Sequence, residues 1–147
     1  MPVVQILLEN GANIEARDSE DKTALYKACQ YQKHEIVQEL LKHNPEIDAV
    51  SKASHGTTPL QATAFVGNVK IFEELMKYGA NIDHLDICKM SVLAYAVFGR
   101  NVYIVRMLLD HGSKTNIRET DFKLTEIETA LDNESNEIFK IIAFHEN

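Results

Sequence analysis

Apolar residues along the chain fall in pairs at helical offsets, and the pairs recur. Ile36-Val37 is followed by Leu40-Leu41, Ile71-Phe72 by Leu75-Met76, Ile104-Val105 by Leu108-Leu109, and Ile138-Phe139 by Ile142, with an earlier copy in Val3-Val4 and Leu7-Leu8. The steps Leu7 to Leu40, Leu40 to Leu75, Leu75 to Leu108 and Leu108 to Ile142 are 33, 35, 33 and 34 residues. Self-similarity at such a period predicts a solenoid, in which each unit buries its apolar face against its neighbours. Within a unit, Ile71, Phe72, Leu75 and Met76 share one helix face, while Lys70, Glu73, Glu74 and Lys77 lie opposite, so each copy carries an amphipathic helix.

A shorter apolar segment precedes that helix. Pro59 to Ala64 is introduced by Thr57-Thr58; threonine is a natural N-cap and proline suits the first helical position. Each unit therefore holds two helices. Gly11, Gly79 and Gly112 stand where the second helix must stop in a left-handed residue, and Asn44, the next most tolerant type, takes the same place in its unit.

Gly56-Thr57-Thr58-Pro59-Leu60, then Gly67-Asn68, Ile71 and Gly79-Ala80-Asn81-Ile82-Asp83 together resemble a complete ankyrin repeat. The resemblance covers essentially the whole chain: a half unit at 1–16, then units at 17–49, 50–84, 85–117 and 118–147. It implies an all-α solenoid, an ankyrin-repeat stack of antiparallel helix pairs with projecting hairpin loops, whose loop tips and first helices make a concave face. Thr23-Ala24-Leu25, Ser91-Val92-Leu93 and Thr125-Glu126-Ile127 depart from the proline-containing start, yet each keeps a hydroxyl cap before an apolar anchor. The loop from Ala49 to His55 is two residues longer than its counterparts, which predicts an irregular tip that bulges outward. Because the half unit opens directly on a second helix, the side chains of Val4, Leu7 and Leu8 lack the first helix that covers them elsewhere, and a longer parent array is expected.

Composition narrows the chemistry. A net charge of −7 repels a phosphate backbone unless cations cluster, so no nucleic-acid partner is expected. Cys29 and Cys88 are far apart and outside any CxxC pair, which suggests neither disulfides nor zinc and fits a cytoplasmic or nuclear location. No apolar run approaches the length of a membrane span. His43, His111 and His145 recur at one position near the end of the second helix and read as solvated helix ends. Cys29 takes the place of Ala64 and Val97, a packing position, and reads as a buried thiol and not a nucleophile. With no phosphate loop, HExxH or GxSxG element, neither catalysis, a cofactor, a metal nor a small-molecule substrate is expected.

The resemblance implies contacts through loop tips and the exposed end of the first helix. Transferred unit by unit, those positions give Tyr31 in the second unit, Phe65 and Val66 in the third, Ile87, Met90 and Phe98 in the fourth, and Phe122 in the last. This is an apolar stripe, and the expected partner is a protein or peptide that inserts apolar side chains along it. Two packings are open to Phe65 and Phe98: exposed as a grip, or turned down as ordinary core. The acidic runs, such as Glu15 to Glu20, read as solvated loop tips. The family's hairpin asparagines can be hydroxylated by an oxygen-dependent enzyme, which makes Asn116 a modification candidate. The leading function is a protein-interaction module of a larger scaffold, adaptor or effector; the second reading is a stand-alone inhibitor of a transcription factor, resembling the short inhibitory ankyrin proteins.

Overall fold

The computed structural model describes residues 2–113 together with 137, 138, 140–142 and 144. Its helices are α1 (Pro2–Glu9), α2 (Ala24–Gln30), α3 (His34–Leu41), α4 (Pro59–Val66), α5 (Val69–Lys77), α6 (Val92–Phe98) and α7 (Val102–Asp110). First helices α2, α4 and α6 pack side by side in one layer, second helices α1, α3, α5 and α7 in another, and within each unit the two layers meet as α2 on α3, α4 on α5 and α6 on α7. This is the all-α solenoid that the period predicts.

Local chemistry sets where each helix starts. The hydroxyls of Thr23, Thr58 and Ser91 accept from the backbone N–H of Tyr26, Gln61 and Ala94, and at Thr58 the Gln61 side chain returns the bond to complete a capping box. Second helices use asparagine instead: Asn68 and Asn101 accept from Ile71 and Ile104. Lys33 holds the same position ahead of α3 with nearly the same backbone angles and offers no capping side chain. At the other ends Gly11, Gly79 and Gly112 are left-handed, as is Asn44, so the predicted stops are in place.

One apolar register repeats through the stack. Leu25, Leu60 and Leu93 are buried in the first helices, and Leu40, Leu75 and Leu108 in the second, each contributing about 1.5–3 kcal/mol against exposure. In the half unit, Val4 and Leu8 pack against this core, whereas Val3, Ile6 and Leu7 are exposed. Ile138 and Ile142 join the core after the fourth unit.

Polar bonds link one unit to the next in fixed register. Glu15 accepts from the N–H of Glu46 at 2.7 Å, Asp48 from that of Asn81 at 3.0 Å, and Asp21 from that of Lys52 at 3.0 Å, while Arg17 donates to the Val50 carbonyl at 2.7 Å. The acidic run is thus not merely solvated: Glu15, and Asp21 just past the run, satisfy backbone donors of the following unit, while Asp18 accepts from the N–H groups of Glu20 and Lys22 in its own tip. Buried Gln61 does the same in reverse, donating to the Met90 carbonyl at 2.9 Å.

Among the described residues each hairpin closes on one antiparallel bridge, Arg17 with Thr23, Ser51 with Thr57 and Leu85 with Ser91. The longer third tip is more ordered than its length predicts. Lys52–Ser54 make a turn of 3-10 helix, His55 and Gly56 are left-handed, and Ile87 N–H of the next tip donates to the His55 carbonyl at 2.9 Å. That inter-tip bond absorbs the insertion.

Candidate functional site

Helices α4 and α6 decide which aromatic side chains face solvent. In α4 the buried positions are Pro59, Leu60, Gln61, Thr63 and Ala64, and in α6 they are Val92, Leu93, Ala94, Ala96 and Val97. Phe65 and Phe98 fall one residue past each buried stripe and are 53% and 37% exposed. Neither ring is fully buried core; register brings both to the surface edge of the inter-helix contact. Tyr31 is 59% and Ile87 71% exposed, while Val66 and Met90 are half-buried. Phe122 and Asn116 lie outside the described residues.

Phe65 and Val66 meet in a groove of about 410 Å³ whose other walls include Tyr26, Tyr95, His55 and Thr57. Phe65 and Tyr95 stand edge to face with ring centroids 6.4 Å apart, the arrangement the ring quadrupoles favour. Tyr31, Ile87, Met90 and Phe98 do not line this groove. Tyr31 lies under the Lys27 ammonium, 5.9 Å from the ring centre, and Ile87 packs beside Gly56, where a β-carbon would sit 3.3 Å from its Cγ1.

Tyr26 and Tyr95 are the residues that sequence reasoning missed. Tyr26 is buried with its hydroxyl 2.7 Å from Thr57 Oγ1, and Tyr95 donates to Asp86 Oδ2 at 2.8 Å. Burial and the adjacent Asp86 carboxylate push the Tyr95 phenol up, so it stays protonated. Their signal was present: each places an aromatic where the neighbouring unit has Gln61 or Ala62.

The remaining candidate chemistry is structural. Cys29 is buried, bonded to Thr63, and its thiol is pushed up to about 12 by burial, which removes the thiolate a nucleophile needs. Cys88 is exposed. His43 and His111 are exposed at helix ends, His111 bonding the Met107 carbonyl at 2.7 Å. Among the described residues no group of His, Cys, Asp and Glu is placed to hold a metal, and no helix is long and apolar enough to cross a membrane.

Known proteins share this pattern. A profile describing ankyrin repeats (3 copies) matches residues 1–86 and 46–119. Human ankyrin repeat and SOCS box protein 11 is 38% identical over 96 residues, covering 63% of this chain and 28% of its own length. Fowlpox virus (strain NVSL) ankyrin repeat protein FPV244 is 33% identical over 102 residues, 65% of this chain and 15% of its own length. Mouse Rabankyrin-5 is 31% identical over 130 residues, 87% of this chain and 11% of its own length. The chain thus spans well under a third of each of these relatives. Paired helices, bridged hairpins and left-handed stops at a constant period agree with the profile match, and the chain belongs to the ankyrin-repeat family, whose members are generally protein–protein interaction modules and not enzymes.

Proposed function

We propose that the chain captures a partner protein or peptide on its concave face, gripping apolar side chains along Tyr31, Phe65, Val66, Ile87, Met90 and Phe98, with Phe122 extending the stripe. It does so as a module of a larger scaffold, adaptor or effector in the cytoplasm or nucleus, and carries out no chemistry of its own. The exposure of Phe65 at 53% beside a groove of about 410 Å³ carries this reading, because exposed apolar patches on a folded surface mark interaction sites. A buried aromatic anchor is worth about 1.5–3 kcal/mol, against about 0–1 for an exposed ion pair, so the rings dominate affinity over rim charges. The size of the relatives, each several times the matched region, supports a module within a larger protein over a stand-alone inhibitor.

Replacing Phe65 and Phe98 together by alanine tests the reading. Affinity capture from lysate with the double variant beside wild type is expected to lose the bound partner while the melting temperature stays nearly unchanged. Retained capture, or a large drop in melting temperature, overturns it.

A further inference from the structure

We propose that the groove takes an acidic segment bearing one bulky apolar side chain, a refinement that rests on the concave-face reading above. A net charge of −7 points away from such a partner, but the charge is unevenly placed. The third and fourth tips, residues 51–57 and 85–91, and helices α4 and α6 contain a single carboxylate, Asp86. It is 4% exposed, and both oxygens are taken, one by the N–H of Met90 at 2.8 Å and the other by the Tyr95 hydroxyl at 2.8 Å. These two tips and first helices therefore offer no exposed carboxylate; those that reach this part of the face come from the second tip, Asp21, which accepts from the Lys52 N–H at 3.0 Å, and Glu20, joined through Lys22 to the groove-wall Gln30.

Cations stand on the two flanking tips. Lys52 and Lys89 are exposed; Lys52 precedes Ala53 in the groove wall, and Lys89 follows the Asp86 segment that anchors Tyr95. The carboxylates of the second tip are matched in place, Asp18 to Lys27 at 2.6 Å, Glu20 to Lys22 at 2.9 Å and Asp21 to Arg17 at 3.5 Å. The other acids of the third and fourth units sit on second helices, as Glu73, Glu74 and Asp110, or at the hairpin start, as Asp83. A segment entering the Phe65 and Tyr95 groove thus meets aromatic and aliphatic walls interrupted by Gln30, Ser54, His55 and Thr57, with Lys52 and Lys89 exposed on the flanking tips. Apolar burial supplies the affinity, and the lysines sort partners by charge, since like charges are repelled and opposite ones steered in.

A phage-displayed library of random peptides, selected on the full chain and counter-selected on the Phe65→Ala/Phe98→Ala variant, tests this. The expected winners carry Phe, Leu or Trp flanked by Asp and Glu. A synthetic winner is expected to weaken about tenfold when its acids are changed to lysine, and about tenfold against Lys52→Glu/Lys89→Glu, each exposed pair being worth at most roughly fivefold. The same charge-swapped protein is expected to recover binding of the lysine peptide, with its melting curve unchanged. Winners that need the phenylalanines but carry basic or uncharged flanks overturn the acidic-segment proposal and leave the concave site standing. Winners indifferent to both phenylalanines, or none at all, sink the two together. Tighter phenylalanine-dependent binding of single-stranded oligonucleotide than of any winner also overturns the proposal.

Discussion

Gly99 offers a sharp test of how the stack is built, because its backbone is ordinary. Its φ is −72°, open to any residue, so conformational freedom does not require glycine there. Space does: a β-carbon at this position would lie 2.3 Å from the Phe65 carbonyl oxygen and 2.8 Å from that of Ala64. Both obstacles are backbone of α4, which cannot swing aside as a side chain can. Reaching ordinary contact requires α6 and α4 to part by about 1 Å, and a gap of 0.5–1 Å already forfeits a quarter to a half of each pair's dispersion attraction. Leu60, Ala64, Leu93, Ala96 and Val97 are all buried in or beside this interface, so the loss is shared by many atoms. Overpacking of this kind costs about 1–3 kcal/mol or somewhat more, partly offset by about 0.4–1 kcal/mol from a less flexible unfolded chain. Gly99→Ala is therefore expected to destabilise by about 1.5–2.5 kcal/mol, a fall in melting temperature of about 4–8 °C. Gly79→Ala is the control: its φ is +86° but nothing lies within 4 Å of the added carbon, so only the left-handed strain of about 1–2 kcal/mol applies. Thermal melts followed by circular dichroism compare the two. If Gly99→Ala melts with wild type, or costs less than Gly79→Ala, the close-approach argument is wrong.

Two further expectations follow from local contacts. Lys33→Asn supplies the cap that α3 lacks, on a backbone already close to those of Asn68 and Asn101, and is expected to raise stability by about 0.5–1 kcal/mol in a urea titration; an unchanged or lower midpoint counts against it. Asp18 is held down at about 2 from 3.8, chiefly by the Lys27 ammonium and then by the Lys22 N–H. A depressed carboxylate stabilises the fold above its unfolded value and loses that contribution as pH falls toward the folded one. The melting temperature is expected to drop between about pH 4 and pH 2 less steeply in Asp18→Asn than in wild type, the effect being small because the pair is solvated; parallel slopes refute the assignment.

Much of the molecule is legible in the sequence because its determinants are local. Thr23, Thr58 and Ser91 announce helix starts through bonds to residues three positions on, and Gly79 or Asn44 announces a stop through its own φ. The spacing of Leu40, Leu75 and Leu108 announces the stack, since a repeating apolar face has nowhere to go but against its own copies. Positions such as Phe65, Ile87 and Phe98 also follow from the repeat register. What only the tertiary structure decided depends on atoms 30 or so residues apart. Whether Phe65 and Phe98 are exposed or core turned on the phase of α4 and α6 against their neighbours. The use of Asp21 and Asp48 as donors' partners in the following unit, the tie from Ile87 to the longer tip, and the joining of Tyr26 and Tyr95 to Phe65 in one groove all cross unit boundaries. Gly99 makes the same point from the steric side: a conformation open to every residue is closed to all but glycine by the backbone of the adjacent helix, and no pattern within its own unit records that distance.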